Sequence, residues 1–260
     1  MREYTVLFMA RGVASAIRAL QALIDRREFL VSAAILHPSA TILRRLCSRY
    51  GIPIIEETEA LRFFRGEGAS LDYIFSFYWK RIGEEILSLP TKAAINFHPG
   101  PLPEARGSGY HVAILEDWGY WGVTAHYMDA EFDTGRIIQC DRFPISSTIV
   151  NEELVHLAHQ KLATLFLEIL EHIVEGTLPQ GEVQGEGRYF SLASMEEAKV
   201  ILPSDSSEMI ERKIRAFWHP PFIGAKMILQ GREYALVDPE TIKKIARQGR
   251  DAPPSMEHLD

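Results

Sequence analysis

Asn96, His98 and Asp133 carry the side-chain types that proton transfer and charge stabilisation need. A neutral imidazole takes a proton near neutral pH. A carboxylate beside it fixes the tautomer and stabilises the imidazolium. A carboxamide N–H donates to a developing oxyanion. Acyl transfer to an amine uses those three roles, because the amine must lose a proton and the oxyanion must be held. No Ser or Cys sits in a nucleophile elbow, so direct attack without an acyl-enzyme is expected. Taken singly, each residue has an ordinary structural explanation. His98 could be a satisfied strand-end histidine, Asp133-Thr134-Gly135 a turn, and Asn96 alone says almost nothing.

The elements that position these residues can be read from the hydrophobic pattern. Asn96 and His98 are two apart where the apolar run Ala93–Phe97 ends, so they point to one face of a strand. Pro99, Pro101 and Pro103 then stiffen the loop, and Gly100, Gly107 and Gly109 permit close backbone approach. Polar side chains on stiff backbone at a strand's carboxyl end suit an open α/β site. Upstream, strands are expected at Tyr4–Ala10, Leu30–Leu36, Ile52–Ile55 and Leu71–Phe77. Helices are expected at Ala14–Ile24, Ala40–Tyr50, Glu59–Phe64 and Arg81–Leu87. Downstream come a helix at Gly109–Asp117, strands at Trp121–Met128 and Arg136–Phe143, and a long helix capped by Asn151 and ended by Gly176. Strands alternating with helices imply a mainly parallel twisted sheet flanked by helices, an α/β fold. Residues 1–180 form the expected catalytic domain, with Gln180–Gly187 as a linker. A small C-terminal domain over 189–237 contains a helix at Ser207–Ala216 and a β-hairpin around Gln230-Gly231-Arg232; 238–260 is a polar tail.

At the end of the fourth strand stand Phe75, Phe77, Tyr78 and Trp79. Phe75 and Phe77 alternate as core residues do, whereas Tyr78 and Trp79 are placed to meet a flat ligand. His111 and His126 could join His98 and Asp133 around a metal, but no compact ligand spacing supports this, and no metal is expected. There is no G-x-G-x-x-G after the first strand, so no dinucleotide site is indicated. The 260 residues are 47% hydrophobic with a net charge of −7, which argues against a nucleic-acid partner. Cys47 and Cys140 lack a C-x-x-C and read as reduced thiols. Without a spanning run or a signal-peptide pattern, a cytoplasmic chain is expected.

Asn96-Phe-His98, then Leu102-Pro-Glu-Ala-Arg-Gly107, then Asp133-Thr-Gly135 resembles the N-x-H, L-P-x-x-R-G and D-x-G signature of the 10-formyltetrahydrofolate-dependent formyltransferases. Arg215-Ala-Phe and Pro221-Phe-Ile-Gly-Ala225 resemble a modified C-terminal element of that family. The likeness covers residues 1–237, with one departure: His98-Pro-Gly-Pro stands where H-x-S-L is commoner. It implies the Rossmann-like formyltransferase fold, and formyl transfer from 10-formyltetrahydrofolate as co-substrate to a primary amine. It also implies that Asn96 holds the formyl oxygen, that His98 takes the amine proton, and that Asp133 supports His98. Phe77, Tyr78, Trp79, Asp129, Glu131 and Phe132 would adjoin the folate, and Arg11, Arg106 and Gly107 the acceptor.

Ile74-Phe-Ser-Phe-Tyr-Trp-Lys-Arg81 is most similar to enzymes acting on nucleotide-linked amino sugars. Methionyl-tRNA and glycinamide ribonucleotide are the alternative acceptors, and a catalytically silent binding protein is the alternative class. The C-terminal hairpin could pair across a homodimer.

Overall fold

The computed structural model describes residues 3–66, 70–78, 80–222, 224–237, 239 and 242–243. In chain order the elements begin with β1 Tyr4–Ala10, α1 Ala14–Asp25, β2 Phe29–Leu36, α2 Thr41–Tyr50, α3 Ala60–Gly66 and β3 Tyr73–Phe77. They continue with α4 Glu84–Leu87, β4 Ala93–His98, β5 Arg106–Gly107, α5 Tyr110–Leu115, β6 Tyr120–Tyr127 and β7 Ile137–Pro144. The last are α6 Asn151–Glu175, β8 Tyr189–Phe190, α7 Leu192–Ala198, α8 Ser207–Ala216, β9 Lys226–Leu229 and β10 Arg232–Ala235.

One six-stranded sheet runs in the order β2-β1-β3-β4-β6-β7. The first four strands are parallel, and β6 and β7 add on antiparallel. Side chains alternate across it with period two. Val6, Phe8 and Ala10 join the core under α1, α2 and α6, while Leu7 and Met9 join the core under α3 and α4. Both faces are therefore covered, as a parallel sheet requires. Phe77 stacks on Phe97 with centroids 4.9 Å apart, and Phe166 of α6 meets Phe97 edge-on at 4.8 Å. This ring cluster anchors the carboxyl ends of β3 and β4 to α6. The apolar stripe of α6 is buried except for Leu157, which is half-buried.

Several expectations need correction. Ile52–Ile55 forms no strand; Ile54 makes a single parallel bridge to Ala34, because Pro53 offers only its carbonyl to a ladder. The Arg81–Leu87 helix shortens to Glu84–Leu87, leaving Arg81 free to cross to another loop. Val150, not Asn151, caps α6, and its N–H is met by Glu153 Oε2 at 3.4 Å.

The 180–187 segment is mostly exposed but is not a free linker. Glu182 and Ile137 exchange backbone hydrogen bonds of 2.8 Å, and β8 pairs in parallel with β5. In the C-terminal region Ala216 and Phe217 enter the main core. The hairpin is present, with β9 and β10 joined by the two-residue turn Gln230-Gly231. Trp79 and most of the 238–260 tail lie outside the described residues. Among the described residues, no helix is long and apolar enough to cross a membrane.

Two buried histidines give the fold an acid-sensitive limb. Burial, with Lys199 nearby, pushes His111 down to about 4; burial, with Arg11, His156 and His219 nearby, does the same to His159. Between that value and the ordinary 6.5, the unfolded chain binds protons that the folded chain refuses. Stability therefore falls as pH falls through this window, by about 3 kcal/mol per histidine at its acid end. Urea denaturation at pH 7 and pH 4.5 checks this. His111→Phe should flatten the pH slope, and an unchanged slope would contradict the assignment.

Candidate active site

Strand order brings the candidates together. β4 carries Asn96 and His98, and β6 sets His126 directly opposite Asn96. The β6–β7 ladder shifts register between Ala125 and His126, a local irregularity of the kind that re-aims a side chain. The loop from β6 to β7 then delivers Asp133, with a left-handed φ of 55°. Aspartate is among the few non-glycine residues that tolerate this region.

Asp133 is the hub. Its Oδ2 lies 3.5 Å from His98 Nδ1 and accepts the Gly107 N–H at 2.9 Å. Its Oδ1 lies 3.5 Å from Asn96 Nδ2 and 3.6 Å from His126 Nε2. Burial by itself would raise the Asp133 pKa. The adjacent His98 and His126 and the Gly107 N–H outweigh burial and hold the carboxyl well below the usual carboxylate range.

Ring tautomers follow from the carbonyls. His98 Nε2 donates to Ala105 O at 2.7 Å, so Nδ1 is the nitrogen left to face Asp133. His126 Nδ1 donates to Tyr127 O at 2.8 Å, so Nε2 accepts from Asn96 Nδ2 at 3.1 Å. His126 thereby fixes which way the Asn96 amide points. The loop under His98 is tied down by Trp121 Nε1 donating to Pro99 O and Thr124 Oγ1 donating to Gly100 O.

Two glycines are dictated by close approach. A Cβ on Gly135 would lie 1.8 Å from Tyr127 O, which accounts for the third position of Asp-Thr-Gly. A Cβ on Gly107, whose φ is +77°, would lie 2.5 Å from Phe190 O. Gly107→Ala should therefore push β8 off β5, loosen the N–H contact to Asp133, and cost about 1–3 kcal/mol. A thermal melt with a parallel turnover assay checks both effects. Unchanged stability and turnover would contradict the packing argument.

Two cavities meet at Asn96, Tyr78, Phe132 and Asp133. A slot of about 30 Å³ lies between Tyr78, Ile82, Met128 and the acidic loop, and a cleft of about 370 Å³ opens on the other side. Asp129, Glu131 and Phe132 do line the slot, although their polar groups brace the loop. Asp129 Oδ1 accepts from Thr134 Oγ1 at 2.7 Å, and Glu131 pairs with Arg81 at 2.6 Å. Phe77 is a core residue that walls the cleft and does not line the slot.

Arg11 and Gly107 line the cleft, but Arg106 does not. The Arg106 guanidinium instead holds Gln184 Oε1 at 2.9 Å and Gly185 O at 3.1 Å. Gln184 in turn donates to Asp133 O and Gly135 O. Arg106 thus supports the Asp133 loop from behind. His111 stacks on Phe217. Among the described residues, no group of three or more His, Cys, Asp and Glu side chains is placed to hold a metal.

Several site residues escaped the sequence reading. Gln184 sits in the supposed linker. Ser15 and His159 pair at 2.9 Å across 144 positions, and both line the cleft. No local pattern could join residues that far apart.

A family profile described as Formyl transferase matches residues 62–170. GDP-perosamine N-formyltransferase of Brucella melitensis is 30% identical over 182 residues, 68% of this chain and 68% of that protein. A methionyl-tRNA formyltransferase of Janthinobacterium sp. is 31% identical over 163 residues, 61% of this chain but 49% of that protein. In fold the chain is similar to the crystal structure of an N-formyltransferase from Helicobacter canadensis in complex with folinic acid and dTDP-3-aminofucose. The TM-score is 0.70 at 21% identity, over 89% of this chain and 85% of that one. The chain belongs to the folate-dependent formyltransferase family.

Proposed function

We propose that this enzyme transfers the formyl group of 10-formyltetrahydrofolate to the primary amine of a nucleotide-linked amino sugar. The observation that carries the reading is the meeting of Asn96, His98 and Asp133 in the cleft, with Asn96 and Asp133 also on the wall it shares with the slot. Formyl-folate supplies the activated one-carbon group. The residues suit it: Tyr78, Ile82 and Met128 offer faces to a flat ring, and Asn96 Oδ1 is buried with no donor among the described residues. The Brucella relative, which acts on a GDP-linked amino sugar, supports the acceptor class.

One Asn96 Nδ2 hydrogen is committed to His126, and the other makes only the long contact to Asp133. That second hydrogen is available to the formyl oxygen as negative charge develops there. As the amine nitrogen bonds to the formyl carbon, His98 Nδ1 takes the amine proton and becomes a donor to Asp133 Oδ2. The carboxylate, already ionised, stabilises the imidazolium. The proton leaves with the folate nitrogen when the old C–N bond breaks, so no base is consumed. Since Ala105 O occupies Nε2, proton transfer runs through Nδ1.

The test is incubation with 10-formyltetrahydrofolate and a panel of UDP-, dTDP- and GDP-linked amino sugars, read by mass spectrometry. A formyl adduct on at least one sugar is expected. No adduct on any sugar, together with tight and steeply salt-dependent tRNA binding, would move the assignment to methionyl-tRNA.

A further inference from the structure

Val183 is 76% exposed and residues 185–189 are exposed as well, yet Gln184 among them turns inward. An apolar side chain in solvent beside a polar one against the protein inverts the order that burial alone would set. Hydrogen bonding accounts for the inversion, because the Gln184 amide is filled at every position. Nε2 donates both hydrogens, to Asp133 O at 2.9 Å and to Gly135 O at 2.6 Å. Oε1 accepts from Arg106 Nε at 3.2 Å and Nη2 at 2.9 Å. Carbonyls only accept and a guanidinium only donates, so the amide fits in one orientation.

These contacts close a ring. Arg106 holds Gln184, Gln184 holds the Asp133 carbonyl, and the Asp133 carboxylate returns to the N–H of Gly107, the neighbour of Arg106. Asp133 is thus fixed at its backbone and at its side chain by the two residues of β5. Its φ of 55° is one that a non-glycine residue keeps only where the surroundings impose it. The same segment pins both ends of the β6–β7 loop. The Tyr127 hydroxyl donates to Pro179 O at 2.6 Å, and Arg136 Nη2 donates to Gly181 O at 2.6 Å. Beyond it, Tyr189 packs near Phe132, the residue before Asp133, with ring centroids 6.4 Å apart.

We propose that Gln184 is a positioning residue for formyl transfer: its amide sets the backbone of Asp133 and so holds the carboxylate opposite His98 Nδ1. Gln184 lines neither the slot nor the cleft, so it acts through Asp133. This deepens the role given to Asp133 in the proposed reaction and rests on it. A misplacement of about 1 Å in such a group costs about 10²-fold in rate.

Gln184→Glu separates the two functions of the amide. A carboxylate keeps the hold on Arg106, so the segment stays attached and the thermal melt should match that of the wild type. It has no hydrogen for the carbonyls of Asp133 and Gly135, which should retreat from it. Gln184→Ala removes both functions. In both variants kcat should fall by about 10- to 100-fold, with KM for each substrate within about twofold. NMR on the whole chain without substrates supplies a readout apart from turnover. The Gly107 amide proton, bonded to the Asp133 carboxylate, should move upfield in both variants. In Gln184→Glu the amides of Arg106 and Ser108, which bond Arg188 O and Phe190 O, should stay in place. A Gly107 resonance at its wild-type position in both variants, or wild-type kcat in both, would overturn the proposal. All three amides shifting together with a lowered melt in Gln184→Glu would make Gln184 a structural tie alone and overturn it equally. If the native chain formylates no acceptor, the formyl-transfer reading fails, and the Gly107 shift alone decides whether Gln184 places Asp133.

Discussion

Replacing Asp133 by asparagine should lower turnover by about three orders of magnitude and leave the fold intact. Asparagine tolerates the left-handed backbone at this position, and its carbonyl can still accept the Gly107 N–H. What it removes is the charge. His98 Nδ1 then faces a neutral amide that can donate into its lone pair, and the proton acceptor is blocked. Asp133→Ala would give a similar loss, but with the Gly107 N–H unsatisfied, so asparagine is the cleaner probe. Steady-state kinetics and a thermal melt on the same protein separate the effects. A variant that folds and turns over at the wild-type rate would remove Asp133 from the proposed chemistry.

The second large effect is expected from His98→Ala, a loss of about 10²–10⁴ in kcat with little change in KM for either substrate. The imidazole is held at two points, Nε2 by Ala105 O and the ring by burial at 6% exposure, and its Nδ1 faces the carboxylate at 3.5 Å. Removing it leaves Ala105 O without its donor, a cost to stability of about 1 kcal/mol. A rise in KM with kcat preserved would recast His98 as a binding residue. Combining both substitutions should cost little more than either alone, because the two side chains act as one unit.

Much of this site was legible because its parts are local. The Asn-x-His spacing places two side chains at one strand end, and three prolines mark the rigid loop beyond it. Aspartate followed two residues later by glycine marks a turn whose tightness the Tyr127 carbonyl explains. The unbroken apolar run of β1 and the apolar stripe of α6 marked the layers of the fold for the same reason: burial on both faces, or on one, imposes a pattern that the sequence must show. Illegible were the contacts without periodicity. The 180–187 stretch looks solvated because its glycines and glutamates carry no apolar pattern. Its attachment is by backbone pairing at Glu182 and the Gln184 amide, neither of which composition reveals. Arg106 stands in a motif that suggested substrate contact, yet its reach ends on Gln184 and Gly185. His126 was visible only as one histidine among several, since its partner Asn96 sits on another strand.

The most direct measurement is transfer of a ¹³C label from the formyl carbon of 10-formyltetrahydrofolate, followed by NMR with a nucleotide-linked amino sugar as acceptor. With the native chain, the label should appear as a formamide carbon on the sugar nitrogen. With Asn96→Ala, His98→Ala and Asp133→Asn combined, it should remain on the folate. Label reaching the sugar at the native rate in the triple variant, or released by the native chain as free formate, would contradict the account.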